Sequence, residues 1–258
     1  VESMSRVNTG FDPVPYPYTE KENPHVYFSM GTTAENVAKK FKILREEQQE
    51  FAISSHNKAH EAQKNGKLSE EIIPIGECKE DGNIRPNSTQ EKLNQLKLAF
   101  DTKGTVTAAT SSPLTDGAAA TIICEENYAK ENNLNILGRI VSTAVEGCDP
   151  DYMGLGPIGA SKKALMRANL SIDKIDIFEL NEAFASQSLA CIKDLGIDQK
   201  KVNIDGGALA LGHPLGATGA RITGKAADLL RRENKKYALS TQCIGLGMGI
   251  ATVIESVD

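Results

Sequence analysis

The spacing of apolar positions divides this chain into a helix-rich first part and a second part in which strands and helices alternate, with the change between residues 112 and 136. In the first part, the capping pattern Thr32-x-x-Glu35 predicts one helix start, and a long helical stretch ends near Gly66. The pattern Ser88-x-x-Glu91 predicts another start. Strands are predicted at residues 71–75 and 105–109.

Beyond residue 136, apolar runs that are typical of buried strands alternate with helical stretches. The predicted strands cover residues 137–144, 175–180, 202–204, 237–242 and 249–255. Helices are predicted to begin at Pro157, Phe184 and near Gly216. A glycine cluster separates the last two strands, which predicts a hairpin. Alternation of this kind is typical of a layered α/β domain.

Composition excludes several classes of function. The net charge of −5 and the pI near 5.5 leave no basic excess to pair with nucleic-acid phosphates. No apolar run approaches the roughly 18 residues that span a bilayer. The five cysteines are odd in number and form no C-x-x-C pair, so neither a disulfide framework nor a zinc knuckle is indicated. A reducing compartment fits best, and the cytoplasm is the predicted location.

Three chemically active side chains follow predicted strands or lie in glycine-rich turns: Asn181, His213 and Cys243. Each has an ordinary alternative, because Asn181 can cap a helix, a histidine can be structural, and a buried cysteine can act as a small apolar residue. Their joint placement where α/β sheets bind ligands favours a shared site. Together they predict half of a Cys/His acid–base site in an acyl-transfer enzyme.

Two other patterns are discounted. His56 and His60 stand four apart, a metal-ligand spacing, but polar neighbours surround them and no third ligand is indicated. A solvated helix face is therefore predicted there, and no metal. The run Gly245-x-Gly247-x-Gly249 lacks the following helix and the later acidic residue of a dinucleotide fingerprint.

Several segments strongly resemble the thiolase family, the acetyl-CoA acyltransferases. The matching segments, in the family's order, are Val1-Glu2-Ser3-Met4-Ser5, Met30-Gly31-Thr32-Thr33-Ala34-Glu35-Asn36, Asp116-Gly117-Ala118-Ala119-Ala120, Met153-Gly154-Leu155-Gly156-Pro157, Asn181-Glu182-Ala183-Phe184, Gly212-His213-Pro214 and Cys243-Ile244-Gly245. They extend over the whole chain.

The resemblance implies an α/β, thiolase-like fold in which two similar halves pack together and a helix-rich loop domain is inserted in the first. Residues 1–5 then correspond to a remnant of the N-terminal half, 6–112 to the loop domain, 113–135 to the end of the N-terminal half, and 136–258 to the C-terminal half. The first half is expected to be incomplete, as in an N-terminally truncated chain.

The same resemblance implies roles for the site residues. The family's nucleophilic cysteine is expected upstream of Val1, so this chain by itself is expected to be inactive. His213 matches the histidine that activates that thiol, and Cys243 matches the cysteine that exchanges protons with acetyl-CoA and CoA. Gly245 resembles a backbone donor to one oxyanion hole. Asn181, through a water, and His213 resemble the pair that serves the other.

For CoA binding, the resemblance matches Ser112 to a residue that contacts the pantetheine arm and Arg85 to an arginine beside the nucleotide end. Met153 and Phe184 match positions that line the substrate pocket. Coenzyme A is implied as a substrate, with no further cofactor, and acyl-CoA as its partner. A homodimer or homotetramer is expected. Ser29 replaces a histidine found in some biosynthetic relatives, which favours longer 3-oxoacyl chains and fatty-acid degradation. Leu246 replaces a glycine common in relatives.

Two alternatives stay open at this point. A decarboxylating ketoacyl synthase usually needs a second catalytic histidine at the position of Asn181, and the asparagine favours a thiolase. A non-catalytic acyl-CoA-binding relative is the other alternative. The presence of both His213 and Cys243 argues against it.

Overall fold

The structure, a computed structural model, describes residues 1–6 and 15–257. Its α-helices are α1 (Pro17–Glu22), α2 (Met30–Phe41), α3 (Arg45–Lys64), α4 (Gln90–Asn94), α5 (Glu126–Glu131), α6 (Gly156–Ala168), α7 (Ala185–Leu195), α8 (Ala208–Leu211) and α9 (Leu215–Arg232). Its strands are β1 (Glu2–Ser3), β2 (Asp116–Gly117), β3 (Arg139–Gly147), β4 (Ile177–Leu180), β5 (Tyr237–Ile244) and β6 (Met248–Glu255).

A mixed sheet in the order β3-β6-β5-β4 forms the centre of the second part of the chain. Strands β5 and β6 are the predicted hairpin, and their three-residue turn places Leu246 and Gly247 at positive φ, 72° and 98°. Strand β4 runs parallel to β5, whereas β3 pairs antiparallel with β6. The carboxyl ends of β4 and β5 therefore meet at one edge of the sheet.

Helices cover both faces of this sheet. On one face, Phe178 and Leu239 pack with residues of α6 and α7. On the other face, Ile177 and Ala238 pack with residues of α9 such as Leu229. Because neighbouring residues of one strand point to opposite faces, the alternation places one apolar layer on each side. The α/β layered fold that the sequence predicts is confirmed.

Backbone contact fixes α6 against the hairpin. A Cβ added to Gly156, the first residue of α6, would lie 2.2 Å from the carbonyl oxygen of Met248. A Cβ added to Gly249 in β6 would lie 2.1 Å from the carbonyl carbon of Gly156. Neither position has room for any side chain, so the helix start and the strand touch directly.

In the first part of the chain, α3 is the central element, and it packs on α7 and α8 of the second part. Its apolar residues Phe51 and Ala52 belong to the same core cluster as Phe178. Among the described residues, no helix is both long and apolar enough to cross a membrane. Strand β1 pairs antiparallel with β2, which supports grouping residues 1–5 with 113–135. The division into four segments stays a prediction.

The two helix starts predicted from capping patterns are displaced by one to three residues. Helix α2 begins at Met30 because Ser29, rather than Thr32, accepts the cap hydrogen bond, from the backbone N–H of Thr32 at 3.2 Å. Helix α4 is capped by Thr89, not Ser88, and ends at Asn94. Its short length leaves Leu96 and Ala99 outside the helix.

Three predicted strands are wrong. At 105–109, the backbone N–H groups of Thr105 and Val106 donate to the Glu35 carboxylate on α2, so no ladder forms. At 202–204, the Asn203 side chain takes the place of a ladder, accepting from the Leu180 N–H at 2.9 Å and donating to the Leu180 carbonyl at 2.8 Å. Residues 71–75 lack a partner strand, and their apolar side chains are exposed.

Candidate active site

Asn181 lies directly after β4, at the sheet edge where β4 and β5 end. Its backbone N–H donates to the Thr241 carbonyl of β5 at 2.9 Å, which continues the β4–β5 ladder by one residue. The side chain is 1% exposed. Its Oδ1 is buried and has no hydrogen-bond partner among the described residues. A buried amide oxygen without a partner is costly unless a ligand or a water satisfies it.

His213 reaches the same edge from the turn that follows α8. Gly212 before it has φ 94°, a conformation that favours glycine, and a Cβ there would lie 2.5 Å from the side chain of Thr115. The Thr115 hydroxyl accepts the backbone N–H of His213 at 3.2 Å and donates to the Pro113 carbonyl at 2.7 Å. Thr115 thus holds the histidine backbone in place.

Both ring nitrogens of His213 have partners. Nε2 lies 3.3 Å from Nδ2 of Asn181, and Nδ1 lies 2.7 Å from the Thr218 hydroxyl on α9. That hydroxyl donates to the Pro214 carbonyl at 3.0 Å, so its oxygen accepts a hydrogen bond from a protonated Nδ1 of His213. This assignment leaves Nε2 as the unprotonated nitrogen, which accepts from the Asn181 amide.

The histidine is held neutral. Burial, with a smaller contribution from the positive charge of Arg221, lowers the pKa of His213 from 6.5 to about 4. At neutral pH the ring therefore has a basic nitrogen free of a proton. Such a ring can accept a proton from an acid placed at Nε2.

Cys243 lies in β5, two residues beyond Thr241 and opposite Gly249 of β6. Burial raises the pKa of its thiol to about 12, so the thiol keeps its proton at neutral pH and is suited to donate it. No hydrogen bond joins this thiol to His213. Gly245, just beyond it, has open space where a Cβ would lie, which leaves its backbone accessible.

The remaining four cysteines lack the features of an activated nucleophile. Burial raises the pKa of the Cys148 and Cys191 thiols above the ordinary value. Cys78 and Cys124 are exposed. A base next to the thiol activates a cysteine nucleophile, and within the described residues neither Cys78 nor Cys124 hydrogen-bonds a histidine.

An open pocket of about 560 Å³ is lined by Arg85 and His56 and by Leu209, four residues before His213. The backbone N–H of Arg85 donates to Nδ1 of His56 at 3.1 Å. His56 is 7% exposed, so the predicted solvated face is wrong there: the imidazole is buried because it holds this pocket loop. In residues 1–6 and 15–257, no group of three or more side chains is placed to bind a metal.

The other predicted substrate residues lie around the junction of β4 and α7. The Ser112 N–H donates to the Ala183 carbonyl at 3.0 Å, and its neighbours Ser111 and Pro113 line the pocket. Phe184 packs edge-on against Phe100, with ring centroids 5.9 Å apart. Met153 is buried in a 3-10 turn before α6. Ser112, Met153 and Phe184 are not themselves lining residues of that pocket.

Sequence reasoning missed the residues that hold the site together. Thr218 and Thr115 fix the ring and the backbone of His213, and the buried Glu182 bonds to the segment that precedes it. Thr218 lies only five residues after His213, at a glycine-rich helix start, so its hydroxyl was a weak indication of a partner for the ring. Thr115 carried none, because it lies 98 residues away in the chain.

These features define a layered α/β protein with a neutral histidine and a protonated cysteine at one sheet edge. The sequence matches two family descriptions that follow each other along the chain: the thiolase N-terminal domain over residues 2–127 and the thiolase C-terminal domain over residues 134–256. The chain therefore belongs to the thiolase family.

Its similarity to individual members is high. It is 48% identical to a 3-ketoacyl-CoA thiolase of Marinobacter nauticus over 100% of this chain and 69% of that protein. It is 51% identical to the corresponding protein of Vibrio vulnificus over 88% of this chain and 62% of that protein. The chain thus spans about two thirds of the length of these curated relatives.

Solved structures agree with this placement. Human mitochondrial 3-ketoacyl-CoA thiolase superposes with a TM-score of 0.87 at 40% identity, covering 100% of this chain and 70% of that one. The same human protein in complex with CoA superposes with an equal TM-score of 0.87 over 99% of this chain and 69% of that one. The acetyl-CoA acetyltransferase of Bacillus anthracis superposes with a TM-score of 0.86 at 42% identity, over 89% and 60%. The predicted thiolase-like fold is confirmed.

Proposed function

We propose that this chain carries the acid–base half of a thiolase active site, which transfers an acyl group between 3-oxoacyl-CoA or acetyl-CoA and CoA. The observation that carries the proposal is the neutral His213 ring, whose Nε2 faces Asn181 while Nδ1 is held by Thr218. The names of the relatives, 3-ketoacyl-CoA thiolases, support this reaction.

In the proposed reaction, His213 Nε2 takes the proton of a nucleophilic thiol, which then attacks the 3-keto carbon of the acyl-CoA. Cleavage of the carbon–carbon bond releases an acetyl-CoA enolate, to which the protonated Cys243 thiol supplies a proton, and the shortened acyl group stays on the nucleophile as a thioester. The Cys243 thiolate then takes the proton of an incoming CoA thiol, whose sulfur attacks the thioester and receives the acyl group. The departing thiolate of the nucleophile regains its proton from the His213 ring. The Gly245 backbone is proposed to stabilise one developing oxyanion, and the Asn181 amide, through a water, together with His213 the other. His213 and Cys243 share no hydrogen bond, so His213 is proposed to exchange its proton with the nucleophilic thiol and Cys243 with the substrates.

None of the five cysteines of this chain is proposed as that nucleophile, since Cys243 is suited to donate a proton and the others lack an adjacent base. The chain by itself is therefore expected to show no turnover. The test is cleavage of acetoacetyl-CoA with free CoA, compared with a buffer control. Turnover well above the control that Cys243→Ser abolishes would contradict the assignment.

The pocket lined by Arg85 and Leu209 is proposed to bind the nucleotide end of CoA beside Arg85, while Ser112, outside the pocket lining, is proposed to contact the pantetheine arm. Met153 and Phe184 are proposed to lie nearer the acyl group. The complex of the human relative with CoA supports CoA as the ligand. We expect calorimetry to show CoA binding to the chain, and Arg85→Ala to weaken it by about 10-fold. The control is Arg231→Ala, since Arg231 does not line the pocket. Equal loss in both variants would contradict the pocket assignment.

Three finer properties are part of the proposal. A preference for longer acyl chains, as in fatty-acid degradation, rests on Ser29 and is tested by comparing acyl-CoA substrates of increasing length. A homodimer or homotetramer is tested by sedimentation. The five free cysteines support a reducing compartment such as the cytoplasm.

A further inference from the structure

A buried carboxylate next to Asn181 in the chain has a role that the proposed mechanism does not use. Glu182 is 2% exposed and accepts three hydrogen bonds. They come from the Ser55 hydroxyl at 2.6 Å, the Asn203 side-chain amide at 2.7 Å and the Leu209 backbone N–H at 3.1 Å. Leu209 lies four residues before His213, so one carboxylate joins the segments that carry both members of the pair.

Ser55 brings the helix-rich part of the chain into this arrangement. It lies on α3, 127 residues from Glu182 in sequence, and is 3% exposed. While its hydroxyl donates to Glu182, its oxygen accepts the Gly207 backbone N–H at 3.0 Å. Ser55 and Glu182 therefore bind both ends of the segment 207–209, at the start of α8.

The packing around this segment leaves no room for an alternative position. A Cβ on Gly207 would lie 2.2 Å from the Glu182 carboxyl carbon, and one on Gly206 would lie 2.6 Å from the Ala59 side chain on α3. Buried hydrogen bonds to a carboxylate are strong, and leaving any of these groups unpaired is costly. The segment 207–209 is thus held at one distance from Asn181.

We infer that Ser55 and Glu182 are positioning residues, which set the separation of Asn181 and His213 through the hydrogen bonds to Gly207 and Leu209. The inference rests on the proposed function only in taking Asn181 and His213 as members of one active site. Helix α3, which packs into the core through Phe51 and Ala52, would then also hold the active-site segments in place through Ser55.

The test compares Ser55→Ala and Glu182→Gln with Ser186→Ala. Ser186 is a matched control, because its buried hydroxyl also links the two parts of the chain, donating to the Ala34 carbonyl at 3.0 Å without touching residues 207–213. The readout is the nitrogen NMR spectrum of the His213 ring over a pH titration, which reports its tautomer and its pKa.

We expect Ser55→Ala and Glu182→Gln to raise the pKa of His213 by about one unit toward 6.5, since a displaced ring gains contact with water. Ser186→Ala should lower the melting temperature and leave the His213 signals unchanged. Unchanged His213 signals in Ser55→Ala would overturn the inference, even if that variant is less stable. Should Glu182→Gln fail to fold, the Ser55→Ala result decides.

The outcome is separable from that of the proposed function. If CoA fails to bind but the His213 signals move as expected, the positioning role stands and the proposed function falls. If CoA binds and the signals do not move, the positioning role alone is overturned.

Discussion

The hydroxyl of Thr218 lies 2.7 Å from Nδ1 of His213 and donates its own hydrogen bond to the Pro214 carbonyl, so it selects the ring tautomer with an unprotonated Nε2. Without this acceptor, the proton is free to move to Nε2. We therefore expect Thr218→Val to give a mixture of tautomers in the nitrogen NMR spectrum. Thr223→Val, which removes a hydroxyl from the same helix near Ser240, should leave one tautomer. A single unchanged tautomer in Thr218→Val would contradict the assignment.

Removing either acid–base group should abolish most of the catalysis. In a form of the protein that contains the nucleophilic cysteine, His213→Ala and Cys243→Ser are each expected to reduce kcat by about 100-fold or more. The double variant should lose less than the product of the two losses, because both groups serve one reaction sequence. Steady-state assays with acetoacetyl-CoA measure this. A near-normal rate in either single variant removes that residue from the mechanism.

The lowered pKa of His213 makes stability depend on pH. The unfolded chain takes up this proton near pH 6.5 and the folded chain near pH 4, so the contribution of the neutral ring is lost as the pH falls between these values. Relative to His213→Asn, the wild type should lose about 2 kcal/mol of unfolding free energy between pH 7 and pH 4.5. Urea titrations of both proteins measure the difference. A difference that does not vary with pH would count against a buried neutral ring.

Glu179, on β4, titrates in the opposite sense. Burial raises its pKa to about 8, although Arg221 and Lys225 oppose the rise. The folded chain holds this proton at a pH where the unfolded chain releases it, so stability falls as the pH rises from 4.5 to 8. We expect Glu179→Gln to stabilise the fold by about 2 kcal/mol at pH 7 and by less at pH 5. The exposed Glu46→Gln on α3 is the control and should show no pH-dependent gain.

The β5–β6 turn contains a strained position. Leu246 has φ 72° and is 55% exposed, so its side chain adds little packing in a left-handed conformation. Leu246→Gly should therefore raise the unfolding free energy by about 0.5–1 kcal/mol. Leu215→Gly, at an exposed leucine within α9, should lower it. A loss of stability in Leu246→Gly would show that this leucine has a role in packing or in binding.

The parts of the fold that depend on local pattern were predictable. Helices α3, α7 and α9 and the β5–β6 hairpin follow from apolar spacing, caps and a glycine turn, which act within a few residues. The strand predicted at 105–109 failed because Glu35, 70 residues away, takes its N–H groups. Periodicity cannot detect a partner at that distance.

For the site, the sequence predicted the chemically active residues but not the residues that orient them. Polar residues at strand ends and a glycine-rich turn pointed to Asn181 and His213, which the structure brings within 3.3 Å of each other. The partners that orient them, Thr115, Thr218 and Ser55, are single hydroxyl residues in unremarkable sequence. His56 was misassigned for the same reason, since its burial comes from a contact with Arg85, 29 residues away.

The contact between Gly156 and Gly249 bears on how this chain tolerates change. Because backbone meets backbone there, even alanine at either position forces the helix start and the hairpin apart. The adjoining turn glycine, Gly245, has empty space beside it and no such restriction. In a saturation library, we expect only glycine to support folding at Gly156 and at Gly249, which lie 93 residues apart in the chain. Because both contacts are with backbone atoms, no second substitution at the facing position can relieve the clash.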